Sequence, residues 1–445
     1  MSSDLLSIAR SGAQAARNAL DITAHNIANA TSQGYVRRSV SLSEVATAGG
    51  FGQTGDISVS GVRLDRVVRN VDLFRQAEMR RTGSDAARAQ VELGVLENIE
   101  TAVEQSGLYP AIVNFEASLQ RLTADPVDPS LRSAALEAAR GLAGTFNLAA
   151  GSLDAVGELQ RFETQDGVDQ VGEIAQELAR VNLRLTRAGD ATSDQSTLLD
   201  QRDLLLQRLS GYADVSTTIA ADHSVTVRLG GATGPELVSG GTVQPFAMTT
   251  AADGTVAFTL GSAPVTLASG SLSGQASALG ALATTRTALD DLADRLIATV
   301  NTAQTGGVGL DGVPGQPLFG GSGAAGISIA LTSANAIATA PVGAGAGSRD
   351  FTNLAALRTA LDGADVAGGA DALLFSISST IASRRTTLEA LDAIAGSARI
   401  ALEAQSGVDL DAEAVNLIRY QQAFQANGKA MQVAATLFDT LLAIR

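Results

Sequence analysis

The sequence predicts an α+β chain, mainly α, built as an elongated rod of several domains whose N- and C-terminal helices pair in a coiled coil. Three observations predict it. Apolar residues recur every seven positions at both chain ends, long helical stretches lie between them, and one internal region switches to an alternating pattern. With 445 residues and roughly 150 residues per domain, the length fits about three domains. The expected divisions are 1–45 with 400–445 as a terminal coiled coil, 46–210 with 271–399 as a helix-rich rod, and 211–270 as an inserted β domain.

The first helix is expected over 4–30. Leu6, Ala13, Leu20 and Ile27 repeat every seven residues, with Ala9, Ala16, Thr23 and Ala30 on the offset series. Small residues on such a seam admit a second helix at close range, though they bury little area. Gly34 is placed to supply a left-handed cap near the helix end. The stretch 46–56 is glycine-rich and reads as a loop or hairpin, and 57–71 alternates as a short strand. A helical pattern follows from 72 to 210, broken at Asp125-Pro126 and Asp128-Pro129.

Val225, Val227 and Leu229 then alternate, as do Val256, Phe258 and Leu260, with Asp253-Gly254 marking a hairpin turn. Helix resumes at 274–303, a Gly/Pro-rich loop spans 305–326, and 327–347 is low in complexity. Helix returns over 350–361 and 370–445. In the last stretch Leu417, Phe424, Met431 and Phe438 are spaced by seven, with Tyr420, Asn427, Ala434 and Leu441 on the partner series. Ile418, Val433, Leu437 and Ile444 form a second apolar stripe, which asks for more than one neighbour. Asp409 is the expected N-cap of this helix, and Asp411 and Glu413 suit its dipole. Two ordinary core helices of one domain are the plainer alternative; their place at opposite ends of the chain favours pairing, with the leftover stripes as contact surface.

Composition narrows the chemistry. The chain has no cysteine and two histidines, His25 and His223, so disulfides, thiol nucleophiles and Cys- or His-rich metal sites are not expected. Net charge is −15, which disfavours nucleic acid as a partner. The first 45 residues carry four arginines against three acids, and residues 396–445 carry four bases against five acids. The two ends therefore cancel, and the acidic excess belongs to the middle. The Gly306–Gly321 loop lacks the Gly-Lys-Ser/Thr of a phosphate cradle, and no nucleophile elbow is seen. Arg63, Arg66, Arg69, Arg75, Arg80 and Arg81 form a basic run, read as a solvated or intersubunit face. No uninterrupted run of 18 apolar residues occurs, and Asp4 stands where a cleaved leader carries basic residues. Neither an enzyme, a cofactor nor a membrane contact is expected.

The segment Ala19 to Tyr35 (ALDITAHNIANATSQGY) resembles the N-terminal signature of the bacterial flagellar rod, hook and hook-associated proteins, and Gly407–Ala414 with Leu417–Ala426 resembles their closing helix. Ala124–Pro129, Leu198–Asp203 (LLDQRD), and Val300–Gln304 running on to Gly309–Phe319 are similar to segments of the hook-associated members. A histidine often found in the family near 301–306 is replaced by Ala303-Gln304, and the short 320–370 segment stands where longer members carry an outer domain. The resemblance implies a structural protein at the hook–filament junction, outside the cell, exported without leader cleavage. Its implied partners are a ring of its own copies, the hook protein, a second junction protein and an export chaperone at the C-terminal helix. Asn26, Asn29, Thr31, Gly34 and Tyr35 join the two heptad series as the expected assembly interface. Another axial protein (hook or distal rod), or a secreted wall hydrolase docked by the same ends, is the alternative.

Overall fold

The structure is a computed structural model that describes residues 2–47, 58–188 and 193–443, and the side chains of 5–45, 61–188 and 194–440. Positions 48–56 of the expected glycine-rich loop, and the side chains of Leu441 and Ile444, lie outside those descriptions. The chain forms two compact units. One holds Met1–Ser84, Val171–Pro245 and Asp392–Arg445; the other holds Asp85–Gln170 and Phe246–Leu391.

In the terminal unit, α1 (Ser2–Ala28) lies antiparallel to α10 (Leu410–Ala443). The direction is fixed by two contacts: Gly12 packs on the Asn427 amide, and Asn26 reaches Glu413. Ala9, Ala13, Ala16, Ala19 and Thr23 are buried along α1, and Ala434 is buried on α10. This is the small-residue seam the heptads predict, and close approach rather than large side chains makes the contact. Asp409 caps α10 as expected, accepting from the amides of Asp411 (2.9 Å) and Ala412 (3.2 Å).

Next to α1 runs an antiparallel hairpin of β1 (Arg38–Thr47) and β2 (Ser58–Arg69), with register shifts at Ser41/Leu42 and Glu44/Ala46. The alternation in 57–71 foretold β2; β1 is an addition. The turn into β1 uses Gly34 at φ 78°, the left-handed conformation glycine adopts without a Cβ penalty.

The helical pattern of 72–210 resolves into α2 (Leu73–Ser106), α3 (Leu108–Leu122), α4 (Pro129–Leu185) and α5 (Ser193–Tyr212). Both Asp-Pro steps fall in the one gap between α3 and α4; further breaks lie at Gly107, with φ 70°, and between Leu185 and Ser193. Segment 211–270 contributes two sheets. β3 (Val215–Ile219), β4 (Val225–Leu229), β5 (Glu236–Ser239) and β6 (Thr242–Val243) form an antiparallel sheet in chain order in the terminal unit. β7 (Phe246–Thr250), β8 (Val256–Leu260) and β9 (Ala263–Val265) form another in the second unit, with Gly254 at φ 82° in the predicted turn.

The second unit is built on α6 (Ser271–Thr305) with α3, α8 (Thr352–Ala364) and parts of α2, α4 and α9 (Val366–Ser406). Short strands β10 (Gly307–Val308), β11 (Phe319–Gly320), β12 (Ser328–Ile329) and β13 (Ala340–Pro341), with the one-turn α7 (Gly323–Gly326), order the expected loop. Its core is large and apolar: Ile99, Ile112, Phe115, Phe146, Leu296 and Phe319 are at most 1% exposed, and Phe115 meets Phe319 edge to face at 5.9 Å. Arg132 is also wholly buried; it donates to the carbonyls of Pro126, Ala334, Asn335 and Ile337 and to the Thr339 hydroxyl. One departure concerns hydropathy. A helical stretch within Thr352–Thr440 contains an 18-residue window of mean hydropathy 1.3, of which 22% is buried. By length and composition alone it is apolar enough to cross a bilayer, because alanine, leucine and isoleucine raise its average without forming an unbroken run.

Candidate functional site

Three of the motifs singled out in the sequence, Ala19–Tyr35, Leu198–Asp203 and Gly407–Ala426, meet in the terminal unit, where α1 ends, α10 begins and α5 passes beside β1 and β2; Ala124–Pro129, Val300–Gln304 and Gly309–Phe319 belong to the second unit. The wholly buried Asn26 treats Arg38 as a strand would. Its Oδ1 accepts from the Arg38 amide at 3.0 Å and its Nδ2 donates to the Arg38 carbonyl at 2.8 Å. The same carboxamide accepts from the Tyr35 hydroxyl at 2.9 Å and donates to Glu413 Oε2 at 3.2 Å. Glu413, 1% exposed, takes Arg37 Nε on its other oxygen at 2.7 Å. One asparagine thus joins the end of α1, the start of β1 and the first turn of α10. Every polar atom of its side chain is used, as burial demands.

A second layer of charge sits beside this knot. Asp200 receives Arg38 Nη2 at 2.9 Å and Arg69 through Nη2 at 2.6 Å and Nε at 2.9 Å. Asp203 receives Arg69 at 3.0 Å, Gln76 at 3.2 Å and Arg202 in a two-pronged pair at 2.7 and 3.0 Å. Arg202 also donates to the His223 carbonyl at 2.9 Å, which ties α5 to the turn before β4. Burial alone would raise the Asp203 pKa, but Arg202 and Arg69 outweigh it and hold the carboxyl below its usual value. At Asp200 burial dominates and pushes the carboxyl up against the pull of Arg69 and Arg38. Burial likewise raises the Tyr35 phenol, which keeps it protonated as a donor to Asn26.

The expected interface residues divide into two groups. Ala13 and Asn26 are buried, and Leu20, Ile27, Asn29, Gly34, Tyr35, Leu417, Tyr420 and Met431 are half-buried. Among these, Asn26 and Tyr35 commit their side-chain polar atoms within the chain, and Asn29 binds the His25 carbonyl at 2.9 Å. Leu6 (45%), Ile418 (54%), Phe424 (42%) and Phe438 (51%) are exposed, as is Thr31. With Val433, Leu437, Leu5 and Ile8, also exposed, they leave apolar side chains uncovered on both terminal helices.

The basic run needs correction at Arg69, which is no solvated cation but a 9%-exposed partner of two aspartates. Within LLDQRD, Arg202 and Asp203 form a neighbouring ion pair. The pairs from Asp200 to Arg38 and Arg69 span 162 and 131 residues; no local spacing announces them. Among the described residues no group of three or more His, Cys, Asp or Glu is arranged to hold a metal ion.

A long antiparallel pair of terminal helices, locked by an asparagine–glutamate–arginine knot, brings the two chain ends together, and the same segments are matched by family comparisons. Residues 6–35 match the flagella basal body rod protein family and residues 402–444 the C-terminal region of the flagellar basal body rod FlgEFG proteins. Residues 93–319, half of the chain, match the helical domain of the flagellar hook-associated protein FlgK, and the chain belongs to that family. Flagellar hook-associated protein 1 of Bacillus subtilis (strain 168) is 29% identical over 220 residues, covering 48% of this chain and 43% of the relative. Flagellar hook-associated protein 1 of Escherichia coli (strain K12) is 29% identical over 252 residues, covering 55% and 45%. The matched stretch thus spans less than half the length of each of these relatives. Among solved structures, the flagellar hook junction protein FlgK from Burkholderia pseudomallei aligns with a TM-score of 0.49 and 23% identity over 55% of this chain and 46% of that one.

Proposed function

We propose that this chain is a structural subunit of the bacterial flagellum that joins hook to filament, assembling as a ring of copies in the axial tube. The observation that carries the reading is the order of the matches: a hook-associated helical domain over 93–319 set between rod-type ends at 6–35 and 402–444. The terminal helices supply a physical route. Their seam is filled by alanines, so the pair buries little apolar area by itself, while Ile418, Val433, Leu437 and Phe438 stay exposed on α10. Neighbouring subunits would cover that stripe, and hook protein on one side and a second junction protein on the other are the axial partners.

Before assembly the same stripe suits an export chaperone, which would shield α10 in its groove. The working location is extracellular, at the hook–filament junction. Deleting residues 418–445 tests the reading. The expected result is filament subunits secreted into the medium without polymerising; normal filaments on such cells would overturn it.

A further inference from the structure

Beside the knot, a cavity of about 690 Å³ opens between the turn Ser32–Val36, α2, α5 and the turn between α9 and α10. Arg80 lines it from α2. Among the described residues Arg80 makes no hydrogen bond and no ion pair, although its guanidinium is drawn down in pKa by burial, with Asp203 opposing and Arg202 adding to the fall.

Every acid that lines the cavity is engaged elsewhere. Asp203 is saturated by Arg69, Arg202 and Gln76, Glu403 faces Arg399 at 3.8 Å, and Asp409 caps α10. In the adjoining knot four guanidiniums (Arg37, Arg38, Arg69, Arg202) already outnumber three carboxylates (Asp200, Asp203, Glu413). On the cavity wall Arg80 and Arg399 join these cations and Glu403 and Asp409 the carboxylates, which leaves one cation in excess, Arg80, while the chain as a whole carries −15.

Arg80 is half-buried, and a charge drawn partly out of water without a partner costs stability in the monomer. Retaining one at the mouth of a cavity is the mark of a site completed from outside. We propose that the cavity is a socket for an acidic side chain of a second copy of this chain, whose carboxylate pairs with Arg80 in the assembled state. A carboxylate fits the guanidinium fork in two-pronged fashion. The second copy is favoured as the source because the chain itself carries −15, which supplies acidic side chains in excess of its own arginine partners. The uncovered stripe of α10 also begins next to the cavity, with Leu410, Val415 and Ile418 exposed. The inference rests on the assembly reading above and adds a charged contact to it.

The test uses the full chain with Arg80→Met and Arg80→Gln, and a photoreactive benzoylphenylalanine at Gln207 in flagella isolated from cells. The purified R80M monomer should melt about 2 °C higher than wild type, because the lone cation is gone. Its incorporation in competition with wild type should fall about tenfold. The Gln207 cross-link should map to an acidic peptide of the same sequence on another copy. A lower melting temperature for both variants would mean that Arg80 has its partner inside the chain, and would overturn the proposal. So would undiminished incorporation, or a cross-link to a different protein. If sulfate raises the wild-type melting temperature and not that of R80M, and no self cross-link forms, the socket takes a free anion and the proposal falls. The monomer melting does not depend on a junction role, whereas the 418–445 deletion does, so the two readings fail separately.

Discussion

The second unit buries phenylalanine, leucine and isoleucine: Phe115, Phe146, Phe319, Ile99 and Ile112 are wholly or almost wholly inside. The paired helices of the terminal unit bury alanine, threonine, asparagine and glutamate, and turn their phenylalanines outward. Large apolar side chains supply about 1.5–3 kcal/mol each when buried, alanine far less. The first arrangement is complete in one chain. The second is fastened at one end by a polar knot and leaves its greasier faces uncovered, so its stability has to come from elsewhere along most of its length. A chain that must fold one part by itself and finish the other against neighbours needs this contrast.

The largest effect is expected at Asp203, where one carboxylate holds Arg69, Arg202 and Gln76. Asp203→Asn leaves buried guanidiniums without a full counter-charge and should cost about 3–5 kcal/mol in denaturant unfolding of the terminal unit. The second unit, probed separately by hydrogen exchange, should be unaffected. Asn26→Ala removes four hydrogen bonds and strands the Arg38 amide and Glu413, for a loss of about 2–3 kcal/mol. The melting signal should come from separation of α1 and α10, read by a spin-label pair on exposed positions of the two helices. Arg132→Met breaks the opposite side of the contrast: the loop 334–339 loses its donors and the second unit should lose about 3 kcal/mol, with the helix pair unchanged.

Phe438→Ser sharpens the contrast from outside. Because Phe438 is half exposed, monomer stability should change by no more than about 0.5 kcal/mol, while incorporation into flagella drops. The smallest effect is on pH. The folded pKa of Asp203 is depressed, so its contribution is present above the ordinary aspartate value and lost as pH falls through the lower folded one. Asp200 is raised and works in the opposite sense, its folded form gaining relative stability as it protonates. The melting temperature of the terminal unit should therefore hold or rise slightly in mild acid, as Asp200 protonates, and fall only below about pH 4.

Sequence periodicity revealed the elements whose cause is local. The seam of Ala9, Ala13, Ala16 and Thr23, the Asp409 cap, the left-handed Gly34 and the Asp253-Gly254 turn each follow from a residue type and its neighbours. What the sequence hid is the tie between distant segments. Asn26 pairs with both backbone groups of Arg38, Asn182 does the same to Val225, and Asn301 to Phe319. In each case a helix-borne carboxamide takes the backbone of one residue as a strand neighbour would, and pins the segment that follows. The amide of asparagine is the right size for this, but nothing in the spacing says which backbone it will meet. The same holds for Arg38 and Arg69 on Asp200, where the recognisable LLDQRD motif marked the place without its partners. Splitting 211–270 into two sheets was equally hidden, because alternation reports that strands exist and not which sheet they join.

Hydrogen exchange of the purified full-length monomer, followed amide by amide, tests the central claim most directly. The account predicts strong protection through the core helices of the second unit and at the knot, around residues 20–38 and 410–420. Protection should fall away along α1 toward Ser2 and along α10 toward Ala443, and return in isolated flagella. Uniform protection of both terminal helices in the monomer, equal to that of the second unit's core, would contradict it.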